Sequence, residues 1–274
     1  MWLFYLLLAL ISLFVLLLLF AVLPGRRRDR SPFDRTLYAH RGLHSNDSCF
    51  PENSLVAFRL AKEAGYGVEL DVQFTADRQV VVFHDDTLLR MCGIDKRLDE
   101  FTYAELSDLR LLDSDQRIPL LTEVLEVLDG ATVLCEVKPM RSYTDTSLCE
   151  AAYAILNEYK GLFCVESFNP LMMRWFRKNA PHVIRGILSK KFTEEDKVAP
   201  TLATLLGALF TNFLCRPDFI AYQHTDRDQF FFRFCKLFQP MTLSWTVRNQ
   251  TEADACQDAF DSHIFEGFFP EKSE

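Results

Sequence analysis

What this chain of 274 residues lacks narrows it first. Its eight cysteines are scattered, with no C-x-x-C and no paired spacing, so a disulfide scaffold is set aside and a reducing compartment is expected. Positive charge is in deficit: 30 Lys and Arg against 38 Asp and Glu leave a net charge of −8, which excludes a broad nucleic-acid footprint. It leaves room for a local phosphate site, which needs only one or two cations. There is no internal repeat and no low-complexity tract. The start of the chain lacks charge altogether. Residues 2–23 are apolar except for Ser12.

Twenty-two helical residues at ~1.5 Å each reach ~33 Å, enough to cross a ~30 Å hydrocarbon core. A cleaved signal peptide is the rival reading. Against it, no Lys or Arg precedes the run, and Val22-Leu23-Pro24-Gly25 is a poor cleavage site. The segment 1–23 therefore reads as a transmembrane anchor. Arg26, Arg27, Arg28 and Arg30 follow it, and by the positive-inside rule that flank stays cytoplasmic. The expectation is a single-pass protein of the cell membrane with its catalytic domain in the cytoplasm. Residues 24–35 form a basic linker of Pro, Gly, Ser and charges, and residues 36–274 form the folded domain.

After the linker, short β-branched or aromatic runs alternate with helical patterns. Strands are expected at 36–40, 67–74, 79–84, 132–138, 163–167, 183–188, 218–222, 241–247 and 263–265, and helices at 54–64, 122–128, 147–159 and 170–179. That alternation implies βαβ units and a parallel sheet. The strands at 67–74 and 79–84 have only Thr75-Ala76-Asp77-Arg78 between them, which permits a hairpin and forbids a parallel crossover. The count becomes eight barrel strands and one antiparallel arm. Two apolar stretches remain. Residues 202–214 read as buried helix, and residues 230–238, with Phe230 to Phe232 beside Arg233, read equally as helix or as a surface resting on lipid.

The polar residues inside these strands carry the chemistry. His40 and Arg41 end the first strand and place a titratable group beside a planar cation suited to phosphate oxygens. Glu69 and Asp71 are two apart on a strand and share a face. Few basic residues flank them, so a divalent cation with oxygen ligands, Mg²⁺ or Ca²⁺, accounts for them better than salt bridges. Pairing Phe74 with Gln79 would set Glu69 opposite His84, while a one-residue slip would turn His84 away. Glu136 and Lys138 share a face of the next strand; the carboxylate can complete a three-carboxylate site and the ammonium can meet a phosphate oxygen. His44, His182, His224 and His263 lack ligand spacing and read as structural or exposed.

Taken in order, Tyr38-Ala39-His40-Arg41-Gly42, Pro51-Glu52-Asn53-Ser54, Val68-Glu69-Leu70-Asp71-Val72, Val82-Phe83-His84-Asp85-Asp86 and Cys135-Glu136-Val137-Lys138 resemble the motifs of the glycerophosphodiester phosphodiesterase family. Ser167-Phe168-Asn169 and Trp245-Thr246-Val247 resemble its later motifs. The resemblance covers roughly residues 36–270. It implies an α/β fold of the TIM-type (β/α)8 class with its site at the carboxyl rim, and a small insertion at 85–120. It implies metal binding by Glu69, Asp71 and Glu136, acid-base work by His40 and His84, and phosphate binding by Arg41 and Lys138. Glu52 would support the metal shell or serve structure alone. Phe168 and Trp245 would line the substrate. Two departures, Arg248-Asn249 after Trp245-Thr246-Val247 and Ile264-Phe265-Glu266-Gly267 at the last strand, fall on the substrate side. The activity implied is hydrolysis of glycerophosphodiesters to glycerol 3-phosphate and an alcohol. Alternatives are the same chemistry on lysophospholipids, and an inactive membrane barrel, against which the intact set His40, Glu69, Asp71, His84 and Glu136 argues.

Overall fold

The apolar run forms helix α1 (Trp2–Val22), long and apolar enough either to span a membrane or to be a signal sequence. The computed structural model describes residues 1–25, 29–45, 47, 49–139 and 141–271. Arg26, Arg27 and Arg28 of the expected linker lie outside the described residues, as do residues 272–274.

Nine strands follow in one sheet: β1 (Tyr38–His40), β2 (Gly67–Phe74), β3 (Val80–Val82), β4 (Val133–Val137), β5 (Phe163–Ser167), β6 (Arg185–Ser189), β7 (Phe219–Gln223), β8 (Met241–Val247) and β9 (Ser262–Phe265). Eight of them pair in parallel. β1 pairs with both β2 and β9, and this closes the barrel. β3 lies antiparallel on β2 as an arm outside the closed ring. Helices α2 (Leu55–Glu63), α5 (Leu121–Leu128), α6 (Ser147–Leu156), α7 (Pro170–Asn179), α8 (Pro200–Gly207), α9 (Asn212–Cys215), α10 (Phe230–Lys236) and α11 (Gln250–Cys256) connect the strands. The short α3 (Leu89–Cys92) and α4 (Tyr103–Leu106) belong to the insertion. The chain is thus a TIM-type barrel.

Strand alternation sorts the core into two shells. Val68, Leu70, Val72, Cys135 and Val165 point outward against the helices. Tyr38, Leu134, Cys164, Phe219, Met241, Leu243 and Ile264 fill the interior. Gly186 sits beside Phe219 in register, and a Cβ there would lie 2.0 Å from the Phe219 ring, so only glycine admits that ring to the lumen. A third cluster, with Val81, Phe83, Leu88, Met91, Leu98, Leu106 and Ile118, lets the insertion pack on the hairpin arm.

The expected hairpin register is wrong by one residue. Phe74 pairs with Val80, not Gln79, and Val72 with Val82. The connection takes five residues because Thr75 closes it on itself: its amide donates to the Gln79 carbonyl at 3.1 Å and its hydroxyl to Asp77 at 2.6 Å. The stretch 202–214 is also corrected in part. It forms α8 and α9, and although Leu206, Leu209 and Cys215 are buried, Leu205 and Phe213 are exposed. In the 230–238 stretch α10 buries Phe232 and Cys235 and leaves Phe230 and Leu237 facing out, 70% and 72% exposed.

Candidate active site

The same alternation that points Tyr38, Leu134 and Cys164 inward points His40, Glu136 and Glu166 inward, one pleat nearer the carboxyl rim. On β2 the inward positions are Glu69 and Asp71. Register then sets His40 beside Glu69, Asp71 beside Glu136 and Glu136 beside Glu166. Glu69, Asp71 and Glu136 are buried and offer oxygens within 4.8 Å of one another.

Burial and the charges of Asp71 and Glu136 push the Glu69 carboxyl well above the usual range. Burial alone would raise Asp71 too, but Lys138, His84 and Arg41 outweigh it and hold Asp71 well below that range. Burial raises Glu136 despite its lysine. Lys138 Nζ lies 2.9 Å from Asp71 Oδ1 and 3.0 Å from Glu136 Oε2, and these anions keep it charged against burial. With Glu166 beside Glu136, four buried carboxyls face the two permanent cations Lys138 and Arg41. Glu136 Oε1 is buried and accepts no hydrogen bond among the described residues. An oxygen donor set with surplus negative charge and an unused buried acceptor fits a hard divalent cation.

Arg41 enters from the turn after β1. Its φ of 55° and that of Gly42 at 85° swing the Arg41 amide toward Glu69, where it donates to Oε2 at 3.1 Å. A Cβ on Gly42 would meet the Ala57 backbone at 2.8 Å, so the turn can fold onto α2 only with glycine there. The guanidinium donates from Nη1 to Glu52 at 2.7 Å, and its buried Nε faces Asp71 Oδ2 in an ion pair at 3.4 Å. Asn53 donates from its side chain to Asp71 Oδ2 at 2.9 Å. The Pro51-Glu52-Asn53 segment thus braces both the cation and a carboxylate. Glu52 itself stands outside the three-carboxylate cluster and faces two arginines.

His40 donates from Nδ1 to Glu266 Oε2 at 2.9 Å, and its Nε2 looks toward Glu69 Oε2 at 4.0 Å. The hydrogen bond from His40 holds Glu266 down at about 2, so at neutral pH Glu266 is an acceptor and Nδ1 carries the proton. Burial, then Arg41, pushes His40 down to about 4 against the pull of Glu266. The result is a neutral imidazole with a free Nε2 facing the carboxylates.

His84 arrives by another route than the expected one. The ladder ends one step past β3, where the Phe83 amide donates to the Asp71 carbonyl at 2.9 Å. Gln73 then gathers the chain, its side-chain amide donating to the carbonyls of Phe83, His84 and Asp85 at 2.9, 3.1 and 2.9 Å. Strand parity therefore does not govern His84. Its Nδ1 bonds Asp85 at 2.7 Å, and its charge bears on Asp71 and Glu136. Arg90 of the insertion joins the two sides. It donates twice to Glu52, both at 2.7 Å, and to Asp85 at 2.7 and 2.9 Å. Phe168 and Trp245 meet edge to face at 5.5 Å on top of the interior cluster.

Sequence reasoning missed Glu266, Asp85, Arg90, Gln73 and Glu166. Asp85 and Arg90 carried a signal, acids and a base following His84. Glu266, just past β9, was marked only as part of the departure Ile264-Phe265-Glu266-Gly267, with no role assigned. Glu166 is buried, and burial with the nearby Glu69 raises its carboxyl well above the usual range. His44 lies 4.0 Å from Glu266 and groups with His40. His182, His224 and His263 have local partners in Tyr153, Glu252 and Ser244.

Comparison with known proteins bears on the family and the fold. The model of the glycerophosphoryl diester phosphodiesterase family matches residues 40–260. A glycerophosphodiester phosphodiesterase of Caldanaerobacter subterraneus is 32% identical over 163 residues, 55% of this chain and 65% of the relative. Human glycerophosphodiester phosphodiesterase 1 is 33% identical over 198 residues, 66% of this chain and 59% of the relative. The chain thus spans less than two-thirds of the length of these relatives. A human lysophospholipase D is 34% identical over 142 residues, 47% of this chain and 44% of that one. Among solved structures, an Oleispira antarctica phosphodiesterase in complex with sn-glycerol-3-phosphate superposes with a TM-score of 0.70 at 23% identity, covering 86% of this chain and 94% of the other. At that identity the likeness concerns the fold. By the span of the family match, the chain belongs to the glycerophosphoryl diester phosphodiesterase family.

Proposed function

We propose that the protein hydrolyses glycerophosphodiesters to glycerol 3-phosphate and an alcohol, with a divalent cation and two histidines. The observation that carries this reading is the neutral His40, whose free Nε2 faces the carboxylate cluster. Glu69, Asp71 and Glu136 would hold the cation, Mg²⁺ or Ca²⁺. When bound, it would neutralise phosphate charge and acidify an attacking hydroxyl.

The chain's own residues do the rest. Arg41 and Lys138 hold non-bridging phosphate oxygens. His40 takes the proton of the attacking hydroxyl on Nε2, and Glu266 steadies the imidazolium that forms. His84, oriented by Asp85, gives a proton to the departing alcohol. Glu52 keeps Arg41 in place. Phe168 and Trp245, edge to face over the interior cluster, would line the substrate. A second reading, cleavage of lysophospholipids, has one support. An apolar cavity of about 800 Å³ runs from His44 and Glu266 past Phe50, Leu60, Phe265 and Phe268. The apolar α1 would act as a single-pass anchor of the cell membrane, with the barrel in the cytoplasm because of the arginines that follow it.

The test gives purified protein glycerophosphocholine with Mg²⁺, Ca²⁺ or EDTA and measures released glycerol 3-phosphate. Loss of product with EDTA, and in His40→Ala and His84→Ala variants, is expected. Turnover that survives EDTA and His40→Ala would sink the mechanism.

A further inference from the structure

The last turn of α1 is built into the barrel. Residues 1–17 are exposed, but Val22 is fully buried. A helix ends with carbonyls that have no partner within the helix, and here the barrel supplies the donors. Arg216 Nη1 donates to the carbonyls of Phe20 and Leu23 at 2.9 and 2.7 Å, and Asn212 donates to that of Val22 at 2.9 Å. The Arg216 guanidinium also covers the Phe20 ring at 4.7 Å and sits where the helix dipole favours a cation. Just past the helix, the Gly25 amide donates to the Pro217 carbonyl at 2.8 Å, and Arg30 reaches the Asp218 carbonyl at 2.7 Å. Asn212 is fully buried, and removing Val22 would leave its amide only a weak contact to Cys235 Sγ at 3.7 Å. A segment cut away on maturation would strip these donors of their acceptors.

The place of this dock matters more than its strength. Asn212, Arg216, Pro217 and Asp218 immediately precede β7, so they lie at the amino-terminal end of the barrel. The carboxylates, His40 and Trp245 lie at the carboxyl end. Five residues of β7 at ~3.3 Å each put the two ends roughly 15 Å apart before the loops of the rim are added. Around the dock, Arg177 and Lys178 are exposed cations and Phe213 is an exposed aromatic, a composition that suits anionic lipid headgroups.

We infer that α1 is a retained membrane span fixed to the amino-terminal end of the barrel, so that the catalytic rim faces away from the bilayer and takes its diester from water. This rests on the phosphodiesterase reading for the word diester, and on the span alone for the orientation. A lysophospholipid would reach the rim only after leaving the bilayer.

The test uses the full chain in vesicles of phosphatidylcholine and phosphatidylglycerol that contain a headgroup nitroxide quencher. A fluorescent amino acid is placed either at Lys178, by the dock, or at Asp95, on the insertion above the rim. Quenching at Lys178 and none at Asp95 is expected. Equal quenching at both, quenching at neither, or a mature protein that has lost α1 by mass would overturn the orientation. In parallel, lysophosphatidylcholine held in the vesicles is compared with the same lipid in detergent micelles, each normalised to soluble glycerophosphocholine. The vesicle rate should be lower by about tenfold or more, because a fixed tether prevents rim and lipid from meeting. It should recover when Arg216→Ala is combined with a long Gly/Ser insertion after Gly25. Equal vesicle and micelle rates would overturn the inference. Failure to cleave glycerophosphocholine would instead sink the activity, and the quenching result would stand apart from it.

Discussion

Glu266, just beyond the closing strand β9, accepts the Nδ1 proton of His40 at 2.9 Å, across the seam where the first and last barrel strands pair. The bond selects the tautomer, and so decides which imidazole nitrogen is free for chemistry. Glu266→Ala should lower kcat roughly 10- to 100-fold with little change in KM, since a positioning contact is lost and no substrate contact is. Steady-state kinetics on glycerophosphocholine checks this; a rise in KM at constant kcat would place Glu266 on the substrate instead.

The pH profile follows from the same pair. His40 is held at about 4 by burial and Arg41, below its ordinary 6.5. Its neutral, basic form therefore persists as pH falls through the ordinary histidine range. The acid limb of kcat/KM should appear near pH 4, with turnover kept at about pH 5.5. In Glu266→Gln the carboxylate no longer favours the imidazolium, so the limb should move lower still. A limb near 6.5 would mean that the imidazole is not held in this environment.

Removing divalent metal should leave a stability signature besides loss of turnover. The Glu69 and Glu136 carboxyls are raised in the fold above their ordinary 4.5, so the folded state holds protons that the unfolded chain has released. By linkage, the metal-free protein should be most stable below about pH 4.5 in respect of these groups and lose that stability as pH rises through their raised values. Mg²⁺ or Ca²⁺ should restore it, by more at pH 8 than at pH 5, because the ion competes with those protons. Thermal unfolding with and without EDTA at the two pH values reads the difference directly. A metal shift that is larger at pH 5 would contradict the assignment.

Arg90 links the bracing residues of both histidine neighbourhoods through four hydrogen bonds of 2.7 to 2.9 Å. Arg90→Ala leaves Glu52 and Asp85 facing fewer cations. It should cost on the order of 2 kcal/mol of stability and about tenfold in kcat. Arg90→Lys should recover part of the stability and little of the rate, because an ammonium lacks the planar fork that grips both oxygens of each carboxylate. Urea unfolding paired with kinetics separates the two effects.

Gln73 fixes the loop that carries His84 with one side-chain amide shared among three carbonyls. Gln73→Leu is close in size and lacks the donor. The barrel should remain folded, with a loss of about 1–2 kcal/mol, while kcat falls further than stability alone would explain. Unchanged kcat would show that the His84 loop is held by packing.

The sequence by itself determined the barrel and most of its polar interior. Period-two alternation is local, so Glu69 with Asp71, and Glu136 with Lys138, could be assigned to shared faces before any fold was known. The β2, β5, β8 and α7 boundaries followed from composition for the same reason. Residue order and motif spacing then allowed the family resemblance.

Tertiary structure alone decided what depended on closure and on loops. The hairpin register turned on one extra residue held by Thr75 and Asp77, a side-chain choice that alternation does not see. His84 reaches the site because Gln73 bends its chain, not because of strand parity. Glu266 meets His40 only because β9 closes on β1, bringing together residues 226 positions apart. The end of α1 finds its donors in Arg216 and Asn212 for the same reason: they are distant in sequence and adjacent only once the barrel has formed. The His40-Glu266 pair and the docked helix are long-range contacts, and no local pattern encodes a partner that the closed barrel alone supplies.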